Sequence, residues 1–151
     1  MNLKKNKKHE LLTIDRCPLC HRDDGFSIKK IVDKVAYKKT HFLIKDVELY
    51  DCRHCKEGFY TPRQFGELSD KINTAIRKHD HLLLAEEIAQ IRKKTGLSQQ
   101  ALAKKLGLSI KSFSKWEANQ DVHSVQMDNL LRAIKRDLTL VDYLASFRKA
   151  A

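Results

Sequence analysis

Hydrophobic and polar residues follow two different patterns along the chain, and the change between them divides the sequence in two. From Phe26 to Tyr50 the chain is rich in Ile, Val, Phe and Tyr, with partial alternation in VELYD and turn-like breaks at RDDG and YKKTH. Alternation is typical of half-buried strands, so two or three short strands are predicted here. From Leu82 onward the pattern is wholly helical. The predicted class is α+β, with a small strand-rich part followed by an all-helical part.

A helix is predicted to link the two parts. Thr61 and Pro62 have the order of an N-cap followed by a proline at the first helical position. The apolar residues that recur at helical spacing toward Asp80 are Phe65, Leu68, Ile72 and Ile76. This spacing indicates an amphipathic helix.

Five further helices are predicted in the second part. The first ends near Gly96, because glycine readily takes the left-handed cap conformation. Ser98 caps the second, QQALAKKL, which stops at Gly107, and Ser109 caps the third, IKSFSKWEA. Three of these helices are indicated by their apolar residues. These are Leu84, Ile88 and Ile91 for the first helix, Leu130, Leu131 and Ile134 for the fourth, and those of LTLVDYLASF for the fifth.

Composition limits the classes of function. The net charge of +11 favours a polyanionic partner such as nucleic acid, although a basic surface also simply keeps a protein soluble. No apolar run approaches the roughly 20 residues of a membrane span, and the basic start lacks the hydrophobic region of a secretory signal. A cytoplasmic protein is therefore expected. In a reducing cytosol its cysteines point to metal ligation, redox chemistry or plain burial rather than to disulfides.

The cysteines form two CxxC pairs separated by 31 residues: Cys17 and Cys20 in CPLC, and Cys52 and Cys55 in CRHC. Two such turns can present four thiolates to one tetrahedral Zn²⁺, which makes a closed structural site with no position for water. The alternative is a dithiol redox pair, but that chemistry favours a CxxC at a helix N-terminus. His21 and His54 adjoin these cysteines and are expected to be solvated neighbours rather than ligands. A non-enzymatic protein is predicted, because no Asp/Glu/His set has a recognisable catalytic spacing.

The segment from Gly96 to Gln120 has the pattern of a DNA-reading helix-turn-helix. Ala103 is small enough to let the next helix cross close by, and Gly107 allows the turn. Packing between the helices is assigned to Leu102, Leu106, Leu108, Phe113 and Trp116, so Trp116 is expected in the core rather than stacked on a base. The alternative is a helical bundle that only resembles such a motif.

Candidate DNA contacts follow from this motif. The first turns of the third helix enter a major groove, and they carry Ile110, Lys111, Ser112, Ser114 and Lys115. Lysine donates to guanine O6 and N7, although it binds phosphate equally well, and isoleucine can meet a thymine methyl. Gln99 and Ser109, at helix N-termini, are predicted phosphate contacts. Arg92, Lys93, Lys94, Lys104 and Lys105 are further candidates for sequence-independent attraction, or form a solvated face.

The order of these motifs resembles the MqsA-type antitoxins, which join a YgiT-type zinc finger to an XRE-type helix-turn-helix. The resemblance spans roughly residues 17–135 and is carried by CPLC, the strand-rich segment, CRHC, the linking helix, IRKKTGLSQQALAKKLG and SFSKWE. It implies one structural Zn²⁺ on the four cysteines. It also implies that the zinc domain binds a cognate toxin, typically an mRNA-cleaving ribonuclease, and that the C-terminal domain dimerises and represses its own operon.

The resemblance also assigns positions. Lys111 and Lys115 fall where the family has an asparagine and an arginine that read the operator, and lysine at 111 implies a different operator sequence. Asn119 stands where XRE proteins often place a left-handed glycine, a conformation that asparagine tolerates.

The expected organisation has three parts: a basic arm at 1–16, a zinc-binding domain with its linking helix at 17–80, and a DNA-binding and dimerisation domain at 81–151. The arm is a solvated segment or a phosphate-contacting tail. The dimer would place two recognition helices in major grooves about 34 Å apart on palindromic DNA. Candidates for the dimer interface, or alternatively for the core, are Leu138, Val141, Tyr143, Leu144 and Phe147. The rival functions are a stand-alone zinc-containing XRE-type regulator without a toxin, and a thiol or zinc enzyme.

Overall fold

The computed structural model describes residues 16–147, so almost all of the predicted basic arm lies outside the described residues. A three-stranded antiparallel sheet precedes six helices in this range, which confirms the α+β prediction. The strands are β1 (Phe26–Tyr37), β2 (Thr40–Cys52) and β3 (Gly58–Phe59). The helices are α1 (Pro62–His79), α2 (Ala85–Lys94), α3 (Gln99–Leu106), α4 (Ile110–Glu117), α5 (Val125–Arg136) and α6 (Leu140–Ser146).

The sheet is dominated by one long hairpin. Strands β1 and β2 have 12 and 13 residues, so the prediction of short strands is wrong in length. The turn at Lys38 lies within the predicted break YKKTH, with a positive φ of 52°. An irregularity between Ile31 and Asp33 shifts the register, opposite a left-handed Asp46 at φ 53°. A bulge interrupts the alternation of side chains without ending the ladder, which explains why the pattern suggests several strands.

Helix α1 packs on one face of this hairpin. Thr61 and Gln64 form a capping box at its start, and Pro62 occupies the first helical position, as predicted. Leu68 joins Ile44 and Val47 in a buried cluster with Ile31, Val35, Phe42, Tyr60, Ile72 and Ala75 around it. Phe65 is 60% exposed. The predicted apolar stripe is therefore wrong at its first position, because Gln64, four residues before Leu68, takes the buried place in the first turn.

The remaining five helices share a second core. Ala103 is 1% exposed where α3 and α4 pack together, and Gly107 ends α3 in the left-handed conformation at φ 66°. The side chain of Ser98 caps α3 as predicted, whereas Ser109 occupies the N-cap of α4 without a side-chain hydrogen bond. The fully buried members of this core include Ile88, Leu102, Phe113, Leu131 and Ile134.

The apolar residues near the C-terminus divide into two groups. Val141 is buried in the core and Leu144 packs against it. Leu138, Tyr143 and Phe147 are exposed, and the last two rings contact each other at 5.0 Å edge to face. Val141 and Leu144 therefore belong to the core, and only Leu138, Tyr143 and Phe147 remain as candidates for an interface.

None of the helices in residues 16–147 is both long and apolar enough to cross a membrane.

Candidate functional site

The two CxxC segments fold into matching turns. The His21 amide donates to the Cys17 carbonyl, and the Lys56 amide donates to the Cys52 carbonyl, each at 2.9 Å. His21 and Lys56 follow the second cysteine of each pair and both have left-handed backbones, with φ of 59° and 63°. The first turn precedes β1 and the second joins β2 to β3, so the sheet brings the two turns face to face.

The four Sγ atoms of these turns form one compact cluster. All lie within 4.8 Å of one another, and the distances are 3.9 Å from Cys17 to Cys55 and 3.7 Å from Cys20 to Cys52. None forms a disulfide. Tetrahedral Zn–S bonds of about 2.3 Å place sulfur atoms about 3.8 Å apart, which matches these distances. The cluster is therefore able to hold a metal ion of this size and softness.

The surroundings favour a thiolate at Cys52 but not at Cys55. The backbone amide of Cys55, followed by that of His54, donates toward the Cys52 sulfur and lowers its pKa to about 6. At Cys55 the Glu57 amide lowers the pKa, but burial and the three neighbouring sulfurs outweigh it and raise the pKa to about 11. Cys17 and Cys52 have no exposed surface, and Phe59 packs against them. Phe26 and Tyr50 extend this apolar shell. Solvent is thus kept from the two inner sulfurs.

His54 is engaged away from the sulfur cluster. Its Nδ1 lies 3.1 Å from Arg22 Nη1 and its Nε2 lies 3.0 Å from Asp24 Oδ1. Because arginine only donates, Nδ1 accepts and Nε2–H donates to the carboxylate, which lowers the pKa of Asp24. Both ring nitrogens therefore have partners, and this arrangement agrees with a neighbouring role for the histidine.

The residues of the helix-turn-helix that are predicted to contact DNA differ in their exposure. Ser109, Ile110 and Lys111 are exposed at the start of α4, whereas Ser112, Ser114 and Lys115 are half-buried. The Ser114 hydroxyl donates to the Lys111 carbonyl at 3.1 Å. The first turn of α4 is thus the most accessible part of the candidate DNA surface.

The side chains of Arg92 and Gln99 both bind Glu117, a contact that the sequence analysis did not predict. Arg92 donates to Glu117 through Nε at 2.7 Å and Nη2 at 3.1 Å, and Gln99 Nε2 donates to the same carboxylate at 2.7 Å. The Glu117 side chain is only 6% exposed. Arg92 therefore holds α2 against α4, and the amide nitrogen of Gln99 is already used inside the protein.

Two predictions at the end of α4 are confirmed. Trp116 packs against the core, with its ring 6.1 Å from that of Phe113 and 6.0 Å from that of His123. Asn119 has the left-handed backbone, at φ 58°.

The sequence reading missed a set of polar contacts between α1 and the loop after α4. Arg77 and Asn73 of α1 donate to backbone carbonyls of that loop, among them those of Asp121 and Asn119. In the sequence, the signal for these contacts is that Asn73 and Arg77 are polar residues four apart, beside the apolar stripe of an amphipathic helix. That signal is weak, because the acceptors are main-chain atoms.

Comparison with known proteins gives two findings. The family described as "Antitoxin component of bacterial toxin-antitoxin system, MqsA" matches residues 15–145. A curated relative named "Antitoxin MqsA", from Escherichia coli (strain K12), is 25% identical over 133 residues. That alignment covers 84% of this chain and 97% of the relative. The family match spans the cysteine cluster and the helix-turn-helix together.

Proposed function

The chain belongs to the MqsA antitoxin family, and from this we propose that it neutralises a cognate toxin through its N-terminal domain and represses its own operon through α3 and α4. The observation that carries the proposal is the joining of a four-cysteine cluster to a helix-turn-helix within a single family match. We further propose that the toxin is a ribonuclease, that the protein is not an enzyme, and that it acts in the cytoplasm.

The four cysteines would hold one structural Zn²⁺. Zinc supplies a rigid tetrahedral link between the two turns and leaves no open coordination position for water. Support comes from the sulfur distances and from the amides of Cys55 and His54, which favour the thiolate form of Cys52. The core beside these turns is small, with Phe59 as its only buried aromatic ring within the described chain, so a metal would contribute much of the local stability.

For DNA, α4 would enter a major groove with Ile110 and Lys111 leading. Ser112, Ser114 and Lys115 lie on the same short helix. Ser109 and Gln99, at the starts of α4 and α3, would approach the phosphates through backbone amides, with the Gln99 side chain held by Glu117. A dimer would present two copies of α4, and the exposed Tyr143–Phe147 pair supports such an interface near α6.

Co-expression with the product of the adjacent gene tests the toxin assignment. We expect that product alone to stop growth by cleaving mRNA, and this protein to restore growth and to co-purify with it at a fixed ratio. A fragment of residues 17–80 should suffice if the zinc domain carries the contact. An adjacent product that neither binds nor is neutralised would favour the stand-alone regulator.

A further inference from the structure

The end of α1 contacts both the tip of the hairpin, where Tyr37 Oη donates to Asp80 at 2.6 Å, and the end of α4. Arg77 is fully buried, with 0% exposed surface. Its Nη2 donates to the Trp116 carbonyl at 3.0 Å and to the Asp121 carbonyl at 2.8 Å, and its Nη1 donates to the Leu83 carbonyl at 2.7 Å. One side chain therefore joins the C-terminal end of α4, the loop before α5 and the loop before α2.

Arginine suits this position for two reasons. Its planar guanidinium donates in several fixed directions at once, whereas lysine has a single ammonium group. A cation is also favourable at the carbonyl end of a helix, where the helix dipole is negative. Nη1 lies 3.2 Å from Nδ1 of the buried His123, so this histidine accepts from the same group.

A second contact lies one turn earlier on α1. Asn73 Nδ2 donates to the Asn119 carbonyl at 2.7 Å. In return, Asn119 Nδ2 donates to the Asp70 carbonyl at 2.9 Å and to Thr74 Oγ1 at 3.0 Å. Glycine would allow the left-handed backbone at 119 but would lack these side-chain bonds. The asparagine thus both makes the turn and fastens it to α1.

We propose that Arg77 and Asn73 are positioning residues for DNA reading, although both lie outside the helix-turn-helix. This inference rests on the proposed DNA-binding function. The two side chains hold residues 116–121 at the end of α4, so they set the direction in which its first turn points. Arg77 has no exposed surface, so it acts through α4 and not by touching phosphate. Base readout needs its side chains held within about 0.5 Å, so a loosened α4 loses sequence discrimination before it loses charge attraction.

The test uses the full chain with Arg77→Lys and Asn73→Ala. Lys78→Gln is the control, because Lys78 is exposed on the same turn. The probes are the duplex that the wild-type protein enriches from a random-sequence library, and poly(dI-dC) as non-specific DNA. We expect each variant to lose roughly tenfold in the affinity ratio between the two, with an unchanged salt slope. The control should keep the wild-type ratio.

A second readout does not depend on DNA. Trp116 is the single tryptophan of the chain and its carbonyl accepts from Arg77, so its fluorescence reports the position of the end of α4. We expect a shifted or quenched emission in both variants and not in the control. Wild-type ratio and emission in folded variants would overturn the positioning role. Failure of the wild type to enrich any duplex would instead overturn the DNA-binding function, and the emission would then decide the positioning role. If Arg77→Lys does not fold, Asn73→Ala gives the decision.

Discussion

Arg92 and Glu117 form a two-point ion pair that joins α2 to the end of α4, with side chains 18% and 6% exposed. The pair is largely desolvated, and Gln99 adds a third hydrogen bond to the carboxylate. Loss of one partner would leave the other charge nearly buried without compensation, which is costly. The orientation of α4 therefore depends on contacts made at both of its sides, by Glu117 on one and by the carbonyls bound to Arg77 on the other.

We expect Arg92→Ala to lower the free energy of unfolding by about 2–3 kcal/mol, because Glu117 keeps only its bond from Gln99. Urea denaturation followed by circular dichroism measures this loss. Lys93→Ala is the matched control, since Lys93 is exposed on the same helix, and it should change stability by less than about 0.5 kcal/mol. Equal stability of Arg92→Ala and the wild type would show that the pair contributes nothing.

The features that could be predicted from the sequence are those that a few neighbouring residues determine. The cap at Thr61, the cap at Ser98 and the left-handed Gly107 are each decided by a few neighbouring residues, and the structure has all three. Each CxxC pair is likewise visible within a short segment, and the hairpin between the two pairs brings them together. Such features depend on short-range chemistry that the sequence displays directly.

The predictions that failed depend on tertiary contacts. Phe65 fits the helical period, yet the buried residue of the first turn is Gln64, whose side chain completes the capping box with Thr61. The bulge near Asp33 keeps two long strands paired where alternation weakens. Two of the acceptors of Arg77 are carbonyls 39 and 44 residues away, and any residue type supplies a carbonyl. The side-chain pattern therefore gives little sign of the contacts that α1 makes with the end of α4.

Metal content provides the next prediction. We expect about one Zn²⁺ per chain, and Cys52→Ser should lose it together with the fixed packing of Phe59, since Cys52 is buried at the centre of that cluster. Atomic absorption gives the stoichiometry, and hydrogen exchange shows the loss of protection around β3. Leu19→Ser is the control, because Leu19 lies between two of the cysteines but is 56% exposed. Retention of a full equivalent of zinc by Cys52→Ser would remove that cysteine from the ligand set.

The buried His123 predicts an acid-sensitive stability. Burial holds its pKa below the ordinary value of 6.5, helped by the nearby Arg77, and the opposing bond to Asp128 does not compensate. As the pH falls below 6.5, His123 binds a proton in the unfolded chain but not in the folded chain. Stability is therefore lost with falling pH until the lower pKa of the folded state is reached. Protonation of Nδ1 would place a proton against the Arg77 guanidinium, which donates there.

His123→Gln should flatten this acid-side slope, because glutamine can accept from Arg77 and donate to Asp128 without titrating. The measurement is the free energy of unfolding between pH 7 and pH 5. His41→Gln serves as the control, since His41 is exposed on β2 and should leave the slope as in the wild type. An identical slope in His123→Gln and the wild type would assign the acid sensitivity to other groups.

DNA reading by α4 gives the last prediction. Lys111→Ala and Lys115→Ala should each weaken binding to the enriched duplex by about 1–3 kcal/mol if the lysine reads a base, and relax the preference at one position of the site. A lysine that only contacts phosphate would instead lower affinity for all sequences and reduce the salt slope by about 1. Lys93→Ala, exposed on α2, shows the size of a change in charge alone. Fluorescence anisotropy at several salt concentrations measures both quantities, and circular dichroism verifies the fold. If neither substitution changes affinity or selectivity, α4 does not read the DNA through these lysines, and another surface must bind it.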